Sequence, residues 1–397
     1  MSASSDRGIW RVFRQEVRQI ASRRALFVLL VPYPLLLLFV LTATFHQEVP
    51  TGLPVAVVDQ DGSTMSRQIV RMIDETPDLA VVAKLPDLSE ARKALVSNEV
   101  YGIVMIPPEM ERDLLASKRP EIVVFHNSQM LTVGGIVARA AGAALGSFAA
   151  GVSIELRESQ GQTAEEAEAG VNPIPVRQSP LFNPALDYTQ FLLASSMPSV
   201  LQIFICASAV LAISRERRDR GGMARFVADG GCAWRALIGK LAPYGMIYLV
   251  MLWGADAIVF GYFGAPFRGD PVLYLLCSLL FVSACLSLGA FLGLVSESPL
   301  IGLGYAGILT APAFGFVGIS FPRMAMNGFA LAWGAALPLT PYLQLRIDQA
   351  VRGADAAMSL PALGWLVALW GLYGGLALLL VRRQARPHEI SAGELSG

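Results

Sequence analysis

Six runs of roughly twenty mostly apolar residues dominate this chain, and no other feature narrows its fold as much. An α-helix rises about 1.5 Å per residue and the hydrocarbon core of a bilayer is roughly 30 Å thick, so each run is long enough to cross. The runs are Ala25 to Phe45, Phe191 to Ile213, Leu241 to Phe263, Val272 to Val295, Pro299 to Ile319 and Pro361 to Val381. The first follows an arginine-rich start, but it exceeds a normal signal-peptide core and no small-x-small cleavage site closes it, so it reads as a retained anchor. Hydrophobic residues make up 54% of the 397 and charged residues only 16%, which points to the bilayer as solvent. With 31 basic and 31 acidic residues there is no global pull toward nucleic acid, and only local charge placement informs.

That placement orients the chain, because Lys and Arg flanking a span are retained in the cytoplasm. Arg7, Arg11, Arg14, Arg18, Arg23 and Arg24 precede the first run. Arg215, Arg217, Arg218, Arg220, Arg225, Arg235 and Lys240 lie in the loop 214–240, and Arg382, Arg383 and Arg386 in the tail 382–397. Six crossings put all three groups on one side and leave Arg268, Arg323, Arg346 and Arg352 on the other. Both termini are then cytoplasmic, and 46–190 lies outside. The small-residue run Thr132 to Leu156 could serve as a seventh span, but it is mostly Ala and Gly after Arg139 and would move the Arg215–Arg220 cluster outside. It reads as a soluble helix.

After Pro54, short apolar runs alternate with helical patterns. Strands are predicted at Val55 to Asp59, Leu79 to Lys84, Tyr101 to Pro107 and Ile122 to Asn127. Helices are predicted at Ser63 to Thr76, Leu88 to Ser97, Glu109 to Ser117 and, as a long element, about 129–158. The expected fold is therefore an α-helical polytopic membrane protein with six transmembrane helices and an inserted α/β domain, built on a mixed sheet, outside the cytoplasm. An acidic stretch, Thr163 to Gly170, and the Pro-rich Asn172 to Pro180 read as a link to the second span. Asp59 and Asp61 read as a strand-ending turn rather than a metal site, since no His converges on them. His46, His126 and His388 are scattered. None of the four cysteines falls in 46–190, so no disulfide framework is expected there. No metal and no cofactor is expected anywhere.

Residues 1–24 place Ile9, Phe13, Val17 and Ile20 on one helical face and Arg7, Arg11, Arg14 and Arg18 on the other. With Trp10 this suits a helix lying in the membrane interface, although an orienting basic tail would also need the arginines. The loop 214–240 joins its basic residues to an apolar series, Phe226, Trp234 and Ile238. A phosphate-cradling GxxxxGK[ST] motif is missing: Gly239 and Lys240 are preceded by Trp234 where the first Gly belongs and followed by Leu241. ATP hydrolysis would have to come from a partner chain.

The order of several motifs resembles the ABC-2 type transporter permeases, in the branch with a large external domain after the first span. They are Leu53 to Val70, Tyr101 to Pro107, Phe182 to Pro184, Arg215 and Glu216, Gly239 to Tyr244, Phe321 and Pro322, and Pro338 to Arg346. The resemblance covers nearly the whole chain. It implies the membrane subunit of an exporter, with a separate ATP-binding cassette ATPase subunit and a second permease subunit, alike or different, as partners alongside membrane lipid. It also implies that the loop 214–240 docks on the ATPase, with Arg215, Glu216, Gly221, Phe226 and Trp234 as coupling residues. The family pattern has Thr and Glu where this chain has Gly222 and Ala224.

Asp256 is the one carboxylate well inside a span, and a charge there costs about 2.5 to 3.5 kcal/mol on insertion scales. It must face protein or water, as a structural partner or as part of the path. The segment 320–360 has an apolar stretch too short to cross, bounded by Pro322, Pro338 and Pro341, and reads as re-entrant or interfacial. The resemblance places Pro322 and Pro338 at the outer mouth of the path. Gly302, Gly304, Gly307 and Gly315 permit close helix packing. No G-x-S-x-G elbow or HExxH motif is present, so catalysis is not expected. The competing reading is a membrane-anchored assembly factor or enzyme that acts through its external domain.

Overall fold

The computed structural model describes residues 8–44, 51–116, 118, 120–127, 131–165, 192–219, 221–319 and 321–386. Arg7, His46, the acidic stretch beyond Glu165, the Pro-rich link, Phe182 to Pro184, Arg220 and His388 lie outside the described residues. The chain divides into two compact units, one formed by Gln47–Asp187 and one by Met1–His46 with Tyr188–Gly397.

The smaller unit is a four-stranded mixed sheet in the order β2-β1-β3-β4. Its strands are β1 (Leu53–Asp59), β2 (Leu79–Lys84), β3 (Gly102–Ile106) and β4 (Val123–His126). β1 pairs parallel with β2 and with β3, with Val55 opposite both Val81 and Gly102, and β4 closes the sheet antiparallel to β3. A run such as Val55 to Val58, apolar at every position, belongs to a strand covered on both faces. Side chains alternate across the sheet. Val55, Val57, Val104 and Ile106 share a core with Ile69 and Ile73 of α4 (Thr64–Asp74) and with Ile136, Val137, Ala141 and Phe148 of α7 (Leu131–Ser159). Val58 and Ile103 face Ala91 of α5 (Leu88–Val96). A short α6 (Met110–Leu115) completes the unit.

Asp59 is consumed by the turn that ends β1. Its Oδ1 accepts from the backbone N–H of Asp61 and Gly62 at 3.1 and 2.9 Å, and its Oδ2 from Ser66 Oγ at 2.8 Å. Ser63 caps α4 by accepting from Ser66 N at 3.0 Å. Among the described residues no cluster of His, Cys, Asp and Glu has the makings of a metal site.

The larger unit holds α1 (Ile9–Ser22), α2 (Arg24–Leu30), α3 (Pro32–Thr44), α8 (Ala194–Arg218), α9 (Gly222–Gly230), α10 (Ala233–Asp256), α11 (Pro271–Val295), α12 (Pro299–Thr310), α13 (Ala313–Phe316), α14 (Gly328–Ala335), α15 (Leu339–Arg346) and α16 (Ala356–Gln384). Two wide π-helical turns, Ala257–Tyr262 and Ile347–Arg352, follow α10 and α15 directly. Ile205, Ala209 and Ile213 of α8 pack with Phe281, Cys285 and Leu288 of α11 and Leu366 and Ala377 of α16 in one continuous core. The first apolar run is broken at Val31 ahead of Pro32, and its Phe27, Leu36 and Phe39 stay exposed.

Seven helices among the described residues are long and apolar enough to cross a membrane. Six correspond to the apolar runs, with shifted ends, and the seventh is Thr132–Ser159 within α7. Helix α10 begins at Ala233, so Trp234 to Lys240 continue the third run as helix instead of forming loop. Helix α8 carries Arg215, Glu216, Arg217 and Arg218 in its own last turns. The fifth run is interrupted after Thr310, where Pro312 ends one helix and α13 begins.

Candidate functional site

Hydrogen bonds gather the helix ends of the larger unit into two groups. At one end Arg217 Nη1 donates to the carbonyls of Gly293, at 3.2 Å, and Ser296, while Gln384 Nε2 donates to Leu294 O at 3.1 Å. This joins the C-termini of α8, α11 and α16. Helix α1 packs along the start of α10, where Gly239 lets it approach: a Cβ there would stand 2.6 Å from Ile9 O. Gly8 N donates to Asp229 O at 3.1 Å, and Arg11 pairs with the Asp229 carboxylate at 3.1 Å. Arg11, Arg215, Arg217, Arg218, Arg225, Lys240, Arg382 and Arg383 therefore belong to one end, here the basic end.

Inside it lies a buried ionic cluster. Glu16 of α1 is only 1% exposed. Its carboxylate accepts from Arg215 Nη2 at 2.8 Å, from Tyr244 OH and from Lys240 Nζ. Lys240, equally buried, also pairs with Glu216. Arg215 donates in addition to Gln19 Oε1 at 3.4 Å and to Leu211 O at 3.2 Å. Two carboxylates balance two cations, and each ion has more than one polar partner or sits at the solvent edge. That is the condition under which buried charges are tolerated; removing one partner of such a set costs about 3 to 5 kcal/mol.

The helix α9 is launched by Gly221 and Gly222, at φ +93° and +47°, a left-handed conformation that side chains with a Cβ resist. This accounts for Gly222 where the resembled pattern has Thr. Phe226 is buried against the bundle, but Trp234 is 43% exposed with the Arg235 guanidinium over its ring, and Ile238 is also exposed. The expected apolar series is thus split between two surfaces. Trp234 and Ile238 instead line an apolar groove of about 660 Å³ between α10, α11 and α16. Helix α1 also departs from the expected pattern. It buries Val12, Glu16 and Ile20, while Trp10 and Val17 face outward, with Phe13 stacked on Trp10 and the Arg14 guanidinium over the indole. It has two apolar sectors because it packs on protein with one and leaves the other uncovered.

The opposite end is organised by Gln349. This buried side chain accepts from Asp270 N at 3.1 Å and donates to Ala354 O at 3.0 Å and Ser359 Oγ at 2.8 Å, tying the start of α11 to the start of α16. Beside it Asp256, at the end of α10, pairs with Arg346, at the end of α15. Arg346 Nη1 also donates to Tyr274 OH and, at 3.4 Å, to Tyr342 OH, and the guanidinium lies against the rings of Phe260 and Tyr274. Of the two roles open to Asp256, a partner across helices is present. Pro338 is the residue before α15, whose first N–H, that of Leu339, is donated to Gln202 Oε1 of α8 at 3.1 Å. Pro322 lies apart from both, on a cavity of about 520 Å³ with Arg323, Gln344, Asp348 and Arg352. The structure does not bring Asp256, Pro322 and Pro338 into one pocket.

Sequence reasoning missed Glu16, Lys240 and Tyr244 at one end and Gln202, Tyr274, Tyr342 and Arg346 at the other. A weak signal existed for two of them: Glu16 stands one helical turn from both Val12 and Ile20, and Arg346 closes an apolar helix.

Residues 23–379 match the profile of the ABC-2 family transporter proteins. The chain belongs to that family. It is also 24% identical, over 393 residues, to the inner membrane transport permease YhhJ of Escherichia coli strain K12, an alignment covering 95% of this chain and 97% of the relative. The protein of the same name from Shigella flexneri matches to the same extent. An ABC-2 membrane family, several apolar helices of spanning length and a small mixed sheet together describe a multi-pass transport protein rather than an enzyme.

Proposed function

We propose that this ABC-2 chain is the permease subunit of an ATP-driven exporter in a bacterial inner membrane, working with a separate ATPase subunit and a second permease subunit. The observation that carries this reading is the basic end. The loop between the second and third spans forms the short helix α9 there, bonded to α1 through Asp229 and Arg11, and beside it the buried cluster of Glu16, Arg215, Glu216 and Lys240 ties α1, α8 and α10 together. A motor that pushes on α9 would move α1, α8 and α10 as one body.

In this reading Glu216 acts by holding Lys240 beneath the loop, and the exposed faces of α9 and α1 meet the ATPase. The proposed crossings are six, with both termini cytoplasmic. The packing of Ile136, Val137, Ala141 and Phe148 of α7 on the sheet supports leaving α7 outside the bilayer, with the α/β unit as an external domain between the first and second spans. The proposed cargo is amphipathic or lipid-like. The cavity beside Pro322, with its mixed apolar and charged lining, suits such a molecule near the outer mouth.

Purifying the tagged chain from its own membranes in mild detergent tests the proposal. An ATPase subunit is expected to co-purify, with hydrolysis that falls when Glu216 is replaced by Ala; a complex with no ATPase component, or hydrolysis indifferent to that change, would overturn it. Orientation has its own test: an Arg218→Cys variant should resist an impermeant thiol reagent in whole cells and react in inverted vesicles.

A further inference from the structure

Among the described residues, six buried side-chain polar atoms have no hydrogen-bond partner: Gln202 Nε2, Ser214 Oγ, Asp256 Oδ2, Thr340 Oγ1, Arg346 Nε and Arg346 Nη2. All but Ser214 Oγ belong to α15 or to a side chain bonded to it. Thr340 and Arg346 are on that helix, Gln202 accepts from Leu339 N, and Asp256 pairs with Arg346. Unmet polar atoms are few in folded proteins, and those that exist are usually met by ordered water. Random packing faults would not converge on one short helix.

Nε and Nη2 form one whole edge of the Arg346 guanidinium, two N–H bonds pointing the same way. Against Arg346 lies a cavity of about 20 Å³, bounded by Ser195, Phe260, Ala265 and Ile347. Volume decides what the space beside Arg346 can hold. Space of roughly 10 to 15 Å³ on this measure accommodates a water molecule, and 20 Å³ is too little for a carboxylate or phosphate group. Charge agrees, because Arg346 and Asp256 already neutralise one another and an oxyanion would leave net negative charge buried.

We infer that α15 borders a hydrated seam in the membrane-spanning unit, with ordered water on the free edge of Arg346 and hydration reaching Thr340 and Gln202. A larger space lies on its other side. Leu343, Gln344 and Asp348 line the cavity of about 520 Å³, and Ile347, which lines both, stands between the two spaces. The Asp256–Arg346 pair is then a wet contact that water can help to part, beside the segment through which the proposed cargo leaves. The hydration itself rests on the unpaired atoms and not on the transport reading.

Radiolytic hydroxyl footprinting of the intact protein in lipid nanodiscs tests it, because X-ray pulses make radicals from bound water next to the side chains that hold it. Tyr342, bonded to Arg346, and Tyr248, bonded to Ser208 Oγ at 2.6 Å and Phe204 O at 3.2 Å, are equally and fully buried. Tyr342 and Tyr274 are expected to be modified several-fold faster than Tyr248. Equal rates at Tyr342 and Tyr248 would mean a dry seam and would overturn the inference, whether or not an ATPase co-purifies; failure of the ATPase to co-purify would leave the footprint unchanged.

Discussion

The two buried ion pairings of the larger unit look alike in a list of contacts and differ in how completely they are met. At the basic end Glu16, Arg215, Lys240, Glu216 and Tyr244 use one another so fully that none of their buried polar atoms is left without a partner among the described residues. At the other end Asp256 and Arg346 leave three atoms unmet, namely Oδ2, Nε and Nη2. A saturated cluster loses much if it opens, because every ion would be stranded. An unsaturated one already needs water and gains partners by opening. In the proposed coupling the first would transmit a push as a unit, and the second would separate.

The sharpest way to break this contrast is Glu16→Ala. It leaves Arg215 and Lys240 with a single carboxylate, and a loss of about 3 to 5 kcal/mol is expected, read as thermal unfolding of the detergent-solubilised protein. Pairing it with Lys240→Leu restores charge balance and should recover much of the loss. Asp256→Ala should cost less than Glu16→Ala, because water can take over the freed donors of Arg346 even though its charge is left unpaired. If the two single variants unfold alike, the distinction between a saturated and a hydratable cluster fails. Gly222→Thr sharpens the comparison from the loop side: a Cβ at φ +47° should cost about 1 to 2 kcal/mol. Its effect on ATP hydrolysis by the proposed complex should exceed that of a surface change in the α/β unit such as Arg92→Gln. Ser63→Ala sets the scale away from both ends. Losing that cap costs about 1 kcal/mol, visible as faster amide exchange at the start of α4 with the membrane helices unaffected.

What the sequence disclosed follows the range of each physical signal. Strand and helix periods are local, so the alternation after Pro54 was enough to anticipate a mixed sheet with helices on it, and β2 runs over the predicted Leu79 to Lys84. The apolar runs announced themselves by length. Partners across the bundle did not, because Glu16 meets Arg215 across 199 positions and Asp256 meets Arg346 across 90. Asp256 stood out as a carboxylate among apolar neighbours, whereas Arg346 passed for a loop charge because its helix is short and flanked by prolines. Glu16 was hidden among arginines on a helix whose two apolar sectors read as one. The helix starts at Ala233 and Ala356 lie ahead of the apolar runs for a related reason: Trp234, Arg235 and Pro361 resemble loop or boundary residues, yet they are helical.

The π-helical turns after Asp256 and Arg346 carry a further meaning. Each fits more residues into a circuit than a regular helix, where successive positions are about 100° apart. Deleting one residue from Ala257–Tyr262 would regularise that circuit and swing everything beyond it by about that angle, while Asp256 kept its place. Gains and losses of single residues among descendants of this chain should therefore collect at these two spots, where a change in length re-aims the following segment without unseating the ion that precedes it.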